Sequence, residues 1–407
     1  MRLSTNTIYA MGSQAILRQQ SEVADIGQQL ASGRRIVTPA DDPRAAAQAL
    51  NVSQAAQVNA QFADSREIAR RSLSAEDNEL DSVIDALTAA KPLFVQAGNG
   101  TLSDADRDSI ATQLEGIHAQ LLGNANAQNG NGGSFFSGYR TDASAFLFDE
   151  TTGVATYNGD AGRRELRVDS SRTMPINDTG RDVFASVTAG ARYVARAGAD
   201  NAGSAVFAGI GVRDSAATDY GDSFEITFAD NAGELSYSVR NTTTATDVVS
   251  GAVFEPGQTL TIGASMSLRI DGMPADGDAF TLGKGRPEDS NILNTIAGLA
   301  AQLRQPDDGP AAGAALANTL NSAQRQLDNS LDNVLSVRSS LGARLNELDV
   351  LDRAGSNRDV NYKSSLANLQ DVDPVKAISD YSLAQVALQF SQKTFADIQQ
   401  MSLFSLV

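Results

Sequence analysis

The chain has 407 residues, room for two to three domains and a sizeable core. Its 32 Lys and Arg against 49 Asp and Glu give a formal charge of −17, which argues against general nucleic-acid binding, because phosphates call for basic patches. With no Cys, no Trp and one His, thiol catalysis, disulfides, Cys-based zinc sites and repeated Ser–His chemistry are excluded, and an aromatic content of 6% suits long helices with thin apolar seams.

At the N-terminus, residues 3–17 are uncharged behind a single Arg, but Ser4, Thr5, Asn6, Thr7, Gly12, Ser13 and Gln14 leave no apolar h-region. No run reaches the roughly 20 apolar residues of a membrane helix. The chain is therefore expected to be soluble, or exported with its N-terminus intact. Ile16, Val23, Ile26 and Leu30 set a heptad frame broken by Gln19. Pro39 and Asp41-Asp42 precede an Ala-rich helix from Arg44 to Leu50, which reads as a linker followed by an N-capped start. Leu73, Leu80, Val83, Leu87 and Phe94 continue a heptad frame, with Glu76 and Ala90 as its weak positions. Ile110, Leu114, Ile117 and Leu121 predict a further helix, capped by Asp104 to Asp108.

The middle of the chain reads as strands. Thr156 to Asp160 and Glu165 to Val168 predict one hairpin; Ser223 to Phe228 and Leu235 to Val239, around the Asn/Asp/Gly turn 229–234, predict another. Thr259 to Ile262 and Ser267 to Ile270 are further short strands. No helix alternates with them, so the sheet is expected to be antiparallel. Helical spacing returns at Ile292, Ile296, Leu299 and Leu303, and again at Leu327, Leu331, Val334, Arg338, Leu341, Leu345 and Leu348, where Pro310 sets the helix start.

Asp373-Pro374 is an N-cap and N1 pair opening the last helix. Ile378, Tyr381, Leu388 and Phe395 form one narrow stripe, and Leu383, Val386 and Phe390 a second stripe on another face. So few large apolar side chains are a poor return for ordering a segment of this length. The terminal arms therefore read either as a segment that orders on assembly, each helix with more than one neighbour, or as an ordinary two-helix extension docked on its own domain.

Charge and glycine are unevenly spread. Residues 1–72 carry 8 basic and 6 acidic residues, 73–141 carry 3 and 9, 142–290 carry 12 and 22, and 291–407 carry 9 and 12. The 142–290 segment also holds 18 of the 34 Gly, so an acidic, Gly-rich insert separates two Gly-poor ends. The expected fold is mainly α with inserted β: a long antiparallel helical bundle or coiled-coil rod formed by both chain ends, with an antiparallel β domain in the middle.

No chemistry-bearing constellation emerges. Asp104, Asp106, Asp108 and Glu115 match part of a calcium loop, but Ser109 stands where Gly is required. His118 has no Ser or Asp partner at a telling spacing and reads as a partly buried surface histidine. Gly209-Ile-Gly211 lacks the third Gly of a dinucleotide fingerprint. No catalytic, cofactor or metal residue is assigned, and the chain is expected not to be an enzyme.

Several motifs resemble those of bacterial flagellins. They are Met1-Arg-Leu-Ser-Thr5 with Tyr9, Gln29-Leu-Ala-Ser-Gly-Arg-Arg-Ile36 and Thr38-Pro-Ala-Asp-Asp-Pro43. Ala125 to Gly130 leading to Phe135-Phe-Ser-Gly-Tyr139, Thr156 to Asp160 with Pro175 to Phe184, and the end from Lys393 to Leu406 are similar to the hook–filament junction family, hook-associated protein 3. Filament flagellins usually end in a Leu-Leu-Arg-type tail, which this chain lacks. The resemblance implies a structural subunit, exported unfolded without signal-peptide cleavage and assembled as an adaptor ring. Its implied partners are further copies of itself, the hook-side junction protein (hook-associated protein 1), filament flagellin and a cytoplasmic export chaperone on the C-terminal arm.

In domain terms it implies arms at 1–40 and 374–407, a helical rod domain at 41–185 and 284–373, and an outer β domain at 186–283. The expected assembly contacts are Ile16, Val23, Ile26, Leu30, Ile378, Tyr381, Leu383, Val386, Leu388, Phe390 and Phe395. The alternatives are a filament flagellin, and a surface adhesin or binding module that uses the β insert.

Overall fold

The computed structural model describes residues 5–404 apart from 131, 189, 232, 285–289 and 307–308, with side chains also left aside at 5, 6, 8 and 398–404. The opening Met1 to Ser4 and the closing Ser405 and Leu406 of the terminal motifs lie outside the described residues. The chain forms two compact units, 1–66 with 350–407, and 67–349. Seven helices are described: α1 (Thr5–Ser32), α2 (Pro43–Ala97), α3 (Asp104–Ala125), α4 (Gly180–Phe184), α5 (Ile292–Leu303), α6 (Pro310–Gln370) and α7 (Pro374–Phe404). The short Ala-rich helix expected at 44–50 and the heptad frame at 73–94 are parts of one helix, α2.

In the 67–349 unit the heptad frame of α2 faces inward throughout. Leu73, Glu76, Leu80, Val83, Leu87, Ala90 and Phe94 are each at most 3% exposed. From α6, Leu327, Val334, Leu341 and Leu348 are buried, while Leu331 and Leu345 are half-buried. Ion pairs fix the antiparallel register: Lys91 to Asp328 at 2.8 Å, Arg338 to Asp77 at 2.9 Å and Arg70 to Asp349 at 2.6 Å. Arg338, the polar interruption of the heptad, thus reaches across to α2 instead of packing inward.

Glu76, the weak position of the α2 frame, is the costliest group on it. Its Oε1 accepts a hydrogen bond from the Asp178 N–H at 2.9 Å, and its Oε2 is buried without a partner. Burial first, and the nearby Asp178 carboxylate second, push its pKa up to about 8. Asp178 itself is paired with Arg344.

α3 packs on α5. Ser103 caps α3, accepting from the Asp106 N–H while the Asp106 carboxylate accepts from the Ser103 N–H, a reciprocal capping box. Asp108 and Glu115, two members of the calcium-like pattern, are held by Arg304 at the end of α5. On the buried face Ile117 is displaced by His118, which is 7% exposed. The reason is a tertiary neighbour: the imidazole packs against Phe148 with ring centroids 4.8 Å apart and planes tilted by 54°. Burial lowers its pKa.

Among the described residues twelve strands occur, all in antiparallel pairs: β1 (Phe146–Asp149), β2 (Val154–Tyr157), β3 (Glu165–Asp169), β4 (Arg172–Pro175), β5 (Val194–Ala197), β6 (Val206–Val212), β7 (Phe224–Asn231), β8 (Glu234–Asn241), β9 (Thr246–Val253), β10 (Thr259–Ile262), β11 (Met266–Asp271) and β12 (Ala279–Gly283). The hairpin expected between Thr156–Asp160 and Glu165–Val168 does not form. Instead β1 pairs β2, and β3 pairs β4. The Asp160 carboxylate explains this: it accepts from the N–H groups of Tyr139, Arg140 and Gly162, tying that loop back to residues 139–140. The other expected strands are present, and β7 and β8 run on through most of the expected turn to the pair Asn231–Glu234.

Strands β5–β12 build two sheets, ordered β5-β12-β7-β8-β9 and β10-β11-β6, around a shared core that includes Phe207, Phe224, Ile226, Phe228, Leu268 and Phe280. This module is fastened to α6 by side chains that stand in for a neighbouring strand. Asn318 accepts from the Phe207 N–H at 3.0 Å and donates to the Ala205 carbonyl at 2.9 Å. Asn329 does the same with both backbone groups of Arg192, and Ser322 donates to the Ala195 carbonyl at 2.6 Å.

Candidate assembly surface

The two terminal helices lie in the 1–66 with 350–407 unit, where α1 packs on α7. On α1 the half-buried positions Tyr9, Gly12, Ile16, Gln19, Val23, Ile26 and Leu30 repeat alternately at three and four residues. On α7 the matching seam is Ala377, Tyr381, Ala384, Leu388, Ser391 and Phe395. The helices run antiparallel and approach too closely for a side chain at Gly12, though not at Gly27. A Cβ on Gly12 would lie 2.6 Å from Phe395 Cδ2, and one on Gly27 would lie 3.5 Å from Tyr381 Cε2. Tyr9 meets the Phe395 ring edge-on, with centroids 6.0 Å apart.

The eleven expected contact residues divide between two faces. Ile16, Val23, Ile26, Leu30, Tyr381, Leu388 and Phe395 lie on the seam and are half-buried. Ile378, Leu383, Val386 and Phe390 do not: they are 54%, 65%, 47% and 66% exposed. Sequence spacing groups Ile378 with the first stripe, but Ala377 beside it takes the seam position. Val375, not singled out in the sequence, is 80% exposed and extends the outer stripe. The small seam residues Gly12, Ala377 and Ala384 were also missed. A search for large apolar side chains passes over them, although they continue the heptad frame in both helices.

Large apolar side chains are scarce in the core of this unit. Its buried apolar residues, among those described, are Ile36, Ala45, Ala49, Ala377 and Ala384. Two polar side chains, Asn59 and Arg66, are also buried there. Arg66 pairs with Asp352, and Gly355 makes room for it, since a Cβ there would meet Arg66 Nη2 at 2.5 Å. Helix α7 begins as expected: Asp373 Oδ1 accepts from the N–H groups of Val375 and Lys376 at 3.0 and 3.2 Å.

Among the described residues no group of His, Asp and Glu side chains is placed to hold a metal ion, and the surface is an apolar face on a lightly charged helix pair. The chain matches the model of the bacterial flagellin N-terminal helical region over residues 3–141 and that of the C-terminal helical region over residues 325–407. It is 35% identical to flagellar hook-associated protein 3 of Salmonella typhimurium, with 100% of this chain and 99% of that protein covered. The Escherichia coli protein of the same name is 33% identical, with 100% and 99% covered. Among solved structures, hook-associated protein 3 of Legionella pneumophila is 28% identical with a TM-score of 0.68, covering 78% of this chain and 98% of its own. FlgL of Xanthomonas campestris is 26% identical with a TM-score of 0.65, covering 78% and 99%. The chain therefore belongs to the flagellar hook-associated protein 3 family of the flagellin superfamily.

Proposed function

We propose that this chain is a structural, non-enzymatic subunit of the bacterial flagellum, standing at the hook–filament junction as the adaptor ring on which the filament assembles. The observation that carries the reading is similarity along the whole chain to curated hook-associated protein 3, at 35% identity with both ends included. The Legionella pneumophila relative is described as a flagellar junction protein. The exposed stripe Val375, Ile378, Leu383, Val386 and Phe390 supports the reading physically, because water is a poor resting place for five large apolar side chains on one helix. In a ring, contacts are heterologous, so one face of α7 serves the chain's own α1 and the other a neighbouring subunit.

The domain plan follows: arms 1–40 and 374–407 inside, 41–185 with 284–373 around them, and the acidic 186–283 module outermost. The seam between the arms forms in the free chain and becomes fully rigid on assembly. The partners are copies of the same chain, the hook-side junction protein (hook-associated protein 1), filament flagellin, and an export chaperone that covers the outer stripe of α7 beforehand. Export proceeds without signal-peptide cleavage, and the described helices include none long and apolar enough to cross a membrane. Complementation of a junction-deficient strain tests this. Motility should return and unpolymerised flagellin should disappear from the medium; continued shedding of flagellin would refute the proposal and favour a filament subunit.

A further inference from the structure

The connectors at the roots of the two terminal helices are short: 33–42 joins α1 to α2, and 371–373 joins α6 to α7. They are bonded to each other. The Val372 N–H donates to the Gly33 carbonyl at 3.0 Å and the Arg35 N–H to the Gln370 carbonyl at 2.7 Å, flanking an antiparallel bridge between Arg34 and Asp371. Gly33, at φ +70°, makes the left-handed exit from α1 that this geometry requires.

Arg35 then does two things. Its Nη2 donates to the Leu369 carbonyl at 2.7 Å, so backbone and side chain together satisfy two of the carbonyls that the end of α6 leaves without an intrahelical donor. Its Nη1 lies 3.5 Å from Asp42 Oδ2, and the other oxygen of Asp42 accepts from the Ala45 N–H at 3.0 Å, capping the first turn of α2. Asp41 holds the loop between them, accepting from the N–H groups of Val37 and Thr38 and from the Thr38 hydroxyl. Ile36, at 9% exposure, is the one large apolar side chain buried in this unit among the described residues.

Five of the seam's thirteen positions, Gly12, Gln19, Ala377, Ala384 and Ser391, are small or polar, and its heptad frame repeats along both helices, so the seam alone does not single out one register. Something outside the seam must set it. We propose that residues Gly33–Asp42 form a clasp with residues 369–373, and that Arg35 is its positioning residue, fixing the points from which α1 and α7 start and hence the register of their seam. Rooting both arms at one point also raises the effective concentration of each for the other. The clasp is internal to the chain, so it stands or falls independently of the proposed junction role.

The full-length chain tests it by hydrogen exchange and by disulfide bridging. The Cys-free background permits a Gly12→Cys with Phe395→Cys pair as a register gauge. The amides of Arg35 and Val372 are expected to exchange slowly in the free chain. Arg35→Ala should speed them by about tenfold or more and slow bridging between the two introduced thiols comparably, with amides across 67–349 unchanged. Arg35→Lys keeps the charge but lacks the fork, and should behave like Arg35→Ala. Rapid exchange of Arg35 and Val372 in the unaltered chain overturns the clasp. So does failure of the introduced pair to bridge when Arg35 is intact, equal bridging with and without Arg35, or full rescue by lysine.

Discussion

Glu76→Gln should remove a measurable part of the pH dependence of stability. The carboxyl sits at a heptad position between Leu73 and Leu80, 1% exposed, with Asp178, Arg344, Arg163 and Arg164 as its charged neighbours. Its pKa is about 8 in the folded chain against an ordinary 4.5, so between those values the folded state holds a proton that the unfolded chain has lost. Folding is then opposed more strongly as pH rises, and stability falls through that window. One pH unit corresponds to about 1.4 kcal/mol, which makes the loss between pH 5 and pH 8 of order 3 kcal/mol. Glutamine keeps the acceptor for the Asp178 N–H and cannot ionise. Urea unfolding of both chains at pH 5, 6.5 and 8, followed by circular dichroism, isolates the effect as a difference. The wild type should lose ground steadily to Glu76→Gln as pH rises; parallel pH profiles would refute the assignment of a buried, neutral Glu76.

Other outcomes follow from the same geometry. His118 has a pKa lowered by burial, so the folded chain binds fewer protons than the unfolded one below about pH 6.5, and stability falls as pH drops through that value; in His118→Gln the drop in melting temperature from pH 7.5 to 5.5 should be smaller. Gly12→Val forces carbon against the Phe395 ring and should loosen the seam despite valine's better helix propensity, at a cost of about 1–3 kcal/mol; faster amide exchange over 388–397, corrected by Phe395→Leu, would show it. Phe390→Ser should change the stability of the free chain by no more than about 0.5 kcal/mol, because the ring is 66% exposed, yet abolish incorporation into the flagellum; normal incorporation would remove Phe390 from the assembly face.

The leucine and isoleucine frames of α2, α5 and α6 were legible because burial on one side of a helix demands a fixed period, and those positions carry large side chains. Strands β10 and β11 were legible for the same reason at period two. What failed was whatever depended on a partner far along the chain. His118 replaces Ile117 at the core because Phe148 arrives to cover it. The 156–168 hairpin gives way because Asp160 bonds backward to residues 139–140. Asn318 and Asn329 look like ordinary polar helix residues until β5 and β6 are laid beside them. On the assembly surface the two stripes of α7 were visible, but the division between them was off by one residue at Ile378, since Ala377 carries almost no hydrophobic signal. Gly33-Arg34-Arg35 was visible as a motif and opaque as a device, because the backbone groups it bonds at Leu369, Gln370 and Val372 lie more than 300 residues away.

The most direct test of the junction role is where the chain sits in an intact flagellum. The sequence has no cysteine, so one introduced on the exposed outer strand, Val248→Cys, gives a single site for a fluorescent maleimide. On a motile cell complemented with this variant, one focus at the hook-proximal end of each filament is the expected result. Label spread along the filament would contradict it.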